Sequence, residues 1–61
     1  MSLAGMTVAE RLAARGLDGE WAVAGAARDR AAMLKLLQRV AVPDARRVVD
    51  VILADPAAYG L

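Results

Sequence analysis

Signals that begin and end a helix recur at short intervals along this chain of 61 residues, and they constrain its fold more than any other feature. The first is Thr7 with Glu10 three residues later, which fits a capping box. In that motif the Thr7 hydroxyl accepts from the Glu10 amide, and the Glu10 carboxylate reaches back to the Thr7 amide. Gly16 supplies the left-handed residue with which many helices end. These signals predict a helix over residues 8–15.

Two aspartates mark the next two helix starts. Asp18 is predicted to cap a short helix over about residues 19–26. Gly25 either ends that helix or lets another helix pack closely against it. Asp29 is predicted to cap a third helix over residues 30–41, which carries the clearest amphipathic pattern of the chain. Without the Asp29 cap, the second and third helices would merge into one long, bent helix.

Two prolines divide the rest of the chain. Pro43 pushes the residue before it out of the helical region, which ends the third helix. Pro43 also fits the first position of a fourth helix over residues 43–54, with Asp44 in the first turn. Pro56 repeats this arrangement and opens a short turn over residues 56–59. No segment shows the alternation that is typical of a strand.

The pattern predicts an all-α fold, a compact orthogonal bundle of three main helices with a short helix 2 or C-terminal turn. Residues 1–6 are predicted to be a weakly ordered leader, either native or added for expression. Residues 7–61 are predicted to form a single helical domain. The predicted core consists of the apolar residues at helical spacing: Val8, Leu12, Leu17, Trp21, Met33, Leu36, Leu37, Val40, Val48, Val49, Ile52 and Leu53.

The composition predicts strong local helix formation around a thin core. Alanine accounts for 15 of the 61 residues, and it favours helix while burying little area. A chain of this size is marginally stable on its own. Because it has no cysteine, it has no disulfide and no thiolate metal site. Tight helix packing or a second subunit must therefore supply stability, which favours a homodimer.

The residue types that most often act in enzyme catalysis are largely absent from the sequence. The chain has no histidine and no cysteine, and six of its seven acidic residues fall at predicted helix starts, where capping explains them. It contains no metal-ligand spacing and no glycine-rich phosphate loop. We therefore predict that the protein is not an enzyme, with no catalytic residue, metal, cofactor or small-molecule substrate.

The charge and hydropathy of the chain give no sign of a nucleic-acid or membrane partner. The net charge is +1, and no apolar run approaches the roughly 20 residues of a membrane span. The lack of cysteine and of a recognisable secretory signal favours a cytoplasmic location for the protein. Seven arginines against one lysine, together with many alanines, are typical of a GC-rich bacterial genome.

Three apolar residues are candidates for a protein interface. Val51 is predicted to lie on the polar side of the fourth helix, which suggests a second buried surface. Trp21 either anchors the core or fills a partner's pocket, since tryptophan is enriched in binding hot spots. Tyr59, near the C-terminal end, is similarly ambiguous. The favoured function is a non-catalytic helical protein-interaction or oligomerisation module whose biological role stays unknown.

The alternative is a small DNA-binding protein, because the third and fourth helices have the outline of a helix-turn-helix. Asp44 and Asp50 on the fourth helix count against it, since acids repel phosphate. The candidate nucleic-acid contacts are the cations of these two helices, namely Arg28, Lys35, Arg39, Arg46 and Arg47.

Overall fold

The computed structural model describes residues 7–61, so the leader predicted over residues 1–6 lies outside the described residues. The described part forms four α-helices and one short 3₁₀ helix, and contains no strand. This confirms the all-α fold. The elements in chain order are α1 Val8–Ala14, α2 Asp18–Ala26, α3 Arg30–Arg39, α4 Ala45–Ala54 and the 3₁₀ helix Pro56–Tyr59.

Helix α1 ends in the Schellman motif that Gly16 predicted. Gly16 is left-handed, with a φ of 69°. The Leu17 amide donates to the Leu12 carbonyl at 2.8 Å, and the Gly16 amide donates to the Ala13 carbonyl at 3.0 Å. Leu12 and Leu17 are both buried, so the motif brings the apolar contact that usually accompanies it.

Helices α2 and α3 end in the same way without a glycine. Arg28 and Ala41 take the left-handed position, with φ of 54° and 57°. The Asp29 amide donates to the Ala24 carbonyl at 2.9 Å, and the Val42 amide reaches the Leu37 carbonyl at 3.1 Å. The third helix was predicted over residues 30–41 and instead ends at Arg39, because the left-handed turn at Ala41 stops it before Pro43 can.

The start of α4 also differs from the prediction of residues 43–54. The helix begins at Ala45, and Pro43 and Asp44 precede it. Asp44 is left-handed, with a φ of 50°, and its side chain makes no capping hydrogen bond. Pro43 and Asp44 lie in the turn between α3 and α4. Asp44 takes part in α4 only as its N-cap, because its carbonyl accepts from the Val48 amide at 3.1 Å.

Of the three predicted caps, two are confirmed. The Glu10 amide donates to Thr7 Oγ1 at 3.1 Å, although the Glu10 carboxylate accepts from the Thr7 hydroxyl instead of its amide. Asp29 Oδ1 accepts from the Ala32 amide at 3.2 Å, so α2 and α3 are separate helices. The prediction that Asp18 caps α2 was wrong. Leu17 is the cap residue, because its carbonyl accepts from the Trp21 amide at 2.9 Å and the helix starts directly after the end of α1.

The core lies around α3, which contacts α1, α2 and α4. Nine of the twelve predicted core residues are buried, and the other three, Val8, Val48 and Leu53, are partly buried and pack against them. Ala24 and Ala45 are also buried, although neither was among the twelve residues of the predicted core. The polar and apolar faces are separated more sharply on α4 than on α3, contrary to the sequence expectation.

Gly25 lies inside α2 and does not end it. A Cβ atom at Gly25 would lie 2.6 Å from Leu61 Cδ2, so the missing side chain lets Leu61 pack against the helix. Arg28 donates to the carbonyls of both Gly25 and Leu61, the latter at 3.2 Å. The close approach that the sequence allowed at Gly25 is therefore made by Leu61, and it ties the end of the chain to α2.

Candidate functional site

A groove of about 610 Å³ lies on the surface between α2 and α3. The two helices run in opposite directions along it. Glu20 and Arg39 stand at one end, called the open end below, and Ala27 and Asp29 stand at the other, called the loop end. Its lining residues recur at helical spacing on both helices: Gly19, Glu20, Val23, Ala24, Ala27, Asp29, Ala32, Lys35, Leu36 and Arg39.

The middle of the groove is apolar. Ala24 and Leu36 are buried beneath it, and Ala32 is partly buried. Val23 stands on its α2 side with 72% of its surface exposed, the largest value among the exposed large hydrophobic residues of the described chain. The groove exists because alanines at positions 24, 27 and 32 are too short to fill the space between the two helices.

The charges of the groove lie at its ends and along α3. Arg39 Nη1 lies 3.8 Å from Glu20 Oε2 at the open end, and both side chains are more than half exposed. Such an exposed pair contributes little to stability. Lys35 lies on the same side of the groove as Arg39, and no carboxylate among residues 7–61 lies within ion-pair distance of it. The open half therefore carries a net positive charge.

The loop end carries one negative charge. Asp29 lines the groove there, whereas its two neighbouring arginines do not. Arg28 is held by the carbonyls of Gly25 and Leu61, and Arg30 pairs with Asp50 on α4 at 2.9 Å. The cations on either side of Asp29 are thus directed to other partners, and the groove has opposite charge at its two ends.

The structure separates the three predicted interface residues. Trp21 is 8% exposed and belongs to the core, which is the first of its two predicted roles. Val51 on α4 and Tyr59 on the 3₁₀ helix are 50% and 51% exposed. None of the three lines the groove.

Val23 was missed by the sequence interpretation. The feature that could have identified Val23 is its spacing from Trp21. Residues two apart on a helix are rotated by about 200° around its axis and therefore lie on nearly opposite sides. If Trp21 faces the core, Val23 must face outward. Recognising this required the knowledge that Trp21 is a core residue, which the sequence left undecided.

The structure divides the five candidate nucleic-acid contacts among different places. Lys35 and Arg39 line the groove, and Arg28 holds the backbone at Leu61. Arg46 and Arg47 are exposed in the first turn of α4.

The part of the chain that the structure describes holds no group of three or more acidic, histidine or cysteine side chains that could bind a metal ion. Across residues 7–61, no polar or charged residue is buried, and every buried residue is either apolar or glycine. None of the described helices is long and apolar enough to cross a membrane.

Comparison of the chain with protein-family models, curated proteins and solved structures finds no match in any of the three.

Proposed function

We propose that this chain is a non-catalytic helical protein-interaction module that binds a protein in the groove between α2 and α3. The observation that carries the proposal is Val23, a branched apolar side chain with 72% of its surface exposed beside an apolar concavity.

An exposed apolar residue is ordinary when it stands alone. Val23 differs because it borders a concave surface to which Ala24, Ala27, Ala32 and Leu36 also contribute. Contiguous apolar surface edged by charged groups is typical of a protein-binding site. A partner that covers Val23 would remove its apolar surface from water, and this burial favours binding by about 25 cal/mol for each Å².

The proposal is tested by photo-crosslinking in the native host. A photoreactive phenylalanine analogue is placed at Val23, and at Ala22 as a control, since Ala22 is exposed on the same helix but does not line the groove. We expect a protein adduct from position 23 and none, or far less, from position 22. Equal or absent adducts at both positions would refute the proposal, whatever the partner's identity.

A second candidate function is DNA binding, which the exposure of Arg46 and Arg47 at the start of α4 favours. A recognition helix contacts bases with its N-terminal residues. If this candidate is right, affinity for duplex DNA should fall steeply with salt and should weaken when both arginines are replaced by glutamine. Absence of binding at about 50 mM salt would exclude it.

A further inference from the structure

We infer that the protein in the groove is a second copy of this chain, packed face to face and antiparallel, with the loop end of each groove against the open end of the other. This inference rests on the proposed function and names its partner. Two properties of the groove carry it, the distribution of its large and small side chains and the distribution of its charge.

The apolar side chains are arranged unevenly along the groove. Val23, the large exposed side chain, lies nearer the open end, and the smaller Ala27 and Ala32 lie towards the loop end. An antiparallel pair places the exposed Val23 against the partner's Ala27, whereas Leu36, which is 6% exposed, forms part of the groove floor. The Val23 side chain of each copy then fills the space left by the partner's Ala27, as close packing requires. A parallel pair would keep both Val23 side chains at the same end and leave a gap between the alanines at the other.

The charges favour the same arrangement. Asp29 is the charge at the loop end, whereas Lys35 and Arg39 outnumber Glu20 in the open half. An antiparallel pair brings Asp29 near the partner's Lys35 and Arg39, twice over because the interface is symmetric. A parallel pair would bring the two Asp29 carboxylates together. Opposite charges of this kind set orientation more than affinity.

A second copy is favoured over an unrelated helix because the groove is complementary to itself both in side-chain size and in charge. A chain of 61 residues also gains from a second subunit the buried area that its own core lacks. A groove between two short helices buries less than a standard interface of about 1,600 Å², so we expect a dissociation constant on the order of micromolar or weaker.

Sedimentation velocity of the purified chain over a concentration series up to about 1 mM tests the partner. We expect a monomer–dimer equilibrium. Val23→Glu should weaken dimerisation at least about tenfold, since it places a charge in the apolar centre, whereas the matched Ala22→Glu should leave it unchanged.

A strict monomer across that range would overturn the inference. If position 23 still yields an adduct with a different protein in the host, the proposed function stands while the inference fails. Equal weakening by Val23→Glu and Ala22→Glu would place the dimer interface elsewhere and also overturn the inference.

The absence of cysteine from the chain makes the antiparallel arrangement directly testable. Chains carrying Val23→Cys are mixed with chains carrying Ala27→Cys under mild oxidation. We expect the mixed disulfide to form faster than either homodisulfide, because only the antiparallel pair brings position 23 near the partner's position 27. Faster homodisulfide formation at either position would refute this arrangement.

A charge cycle gives an independent test. Lys35→Glu should weaken the dimer by about three- to tenfold, and adding Asp29→Asn, which keeps a capping residue, should recover part of the loss. The control is Arg47→Glu, which changes the net charge equally on α4, outside the groove. If Lys35→Glu weakens dimerisation no more than Arg47→Glu does, the proposed pairing of charges is wrong.

Discussion

At the residue scale, the most distinctive feature is the use of non-glycine residues where a left-handed backbone is needed. Gly16 and Gly60 have positive φ, and so do Arg28, Ala41 and Asp44. A left-handed conformation costs an L-residue roughly 1–2 kcal/mol because Cβ crowds the backbone. At Arg28 the guanidinium offers a compensation through its hydrogen bonds to Gly25 and Leu61. The methyl group of Ala41 offers none.

We therefore expect Ala41→Gly to stabilise the protein by about 0.5–1 kcal/mol, which would raise Tm by roughly 2–8 °C in a domain of this size. Chemical and thermal denaturation followed by circular dichroism measure the change. The control is Ala13→Gly at an exposed, right-handed helical position, which should destabilise by about 1 kcal/mol. The same sign for both substitutions would contradict the account of position 41.

At the element scale, local hydrogen bonds decide where each helix begins and ends. Asp29 caps α3 with a side-chain hydrogen bond, whereas Leu17 caps α2 with its backbone alone. The end of α1 and the start of α2 share Leu17, which leaves no free residue between them for a side-chain cap. Two aspartates that look alike in the sequence therefore differ in energetic role.

We expect Asp29→Ala to cost about 1 kcal/mol of unfolding free energy, because the Ala32 amide loses its acceptor. Asp18→Ala should cost at most a few tenths of that, since Asp18 adds only its charge to the first turn of α2. Urea denaturation of the two variants measures the difference. A larger loss at Asp18 than at Asp29 would show that the caps are assigned wrongly.

The contact between Gly25 and Leu61 belongs to the same scale. In the native chain, Gly25→Ala brings a methyl group 2.6 Å from Leu61 Cδ2 and must displace Leu61, so we expect no gain in stability or a loss. In a Leu61→Ala background the clash disappears, and Gly25→Ala should stabilise by roughly 1 kcal/mol through helix propensity. A double-mutant cycle in denaturant measures this coupling, and additive effects would disprove the contact.

At the scale of the whole molecule, one tryptophan occupies a core built mainly from aliphatic residues. Trp21 is 8% exposed and joins the buried residues of α1, α3 and α4 in a single cluster. A chain this short has a free energy of unfolding of only a few kcal/mol. Loss of this one ring therefore threatens the fold itself, whereas exposed apolar residues such as Val51 do not.

We expect Trp21→Ala to cost about 3–5 kcal/mol and to leave the chain largely unfolded at room temperature. Val51→Glu should keep normal helicity and change stability by less than about 0.5 kcal/mol. It should also leave self-association unchanged if the dimer uses the α2–α3 groove. Circular dichroism and sedimentation of both variants provide the measurements, and a loss of dimer in Val51→Glu would move the interface to α4.

The sequence left open whether the second and third helices were separate, but it predicted the helical class and most of the core. These follow from interactions within a few residues of each other, such as the Thr7 and Asp29 caps and the apolar spacing of Leu36, Leu37 and Val40. The end of α1 at Gly16 is equally local, because the hydrogen bonds of the Schellman motif require a left-handed residue there and glycine adopts that conformation without strain.

The features that depend on residues distant in the sequence follow from how the helices pack together. Pro43 looked like the first residue of a helix, but the left-handed Ala41 and Asp44 place it in the connection between α3 and α4. Which face of α2 is covered depends on where α1 and α3 pack, and this sets Trp21 inside and Val23 outside. The groove follows from that packing, because side-chain spacing along one helix does not determine how much space remains between two.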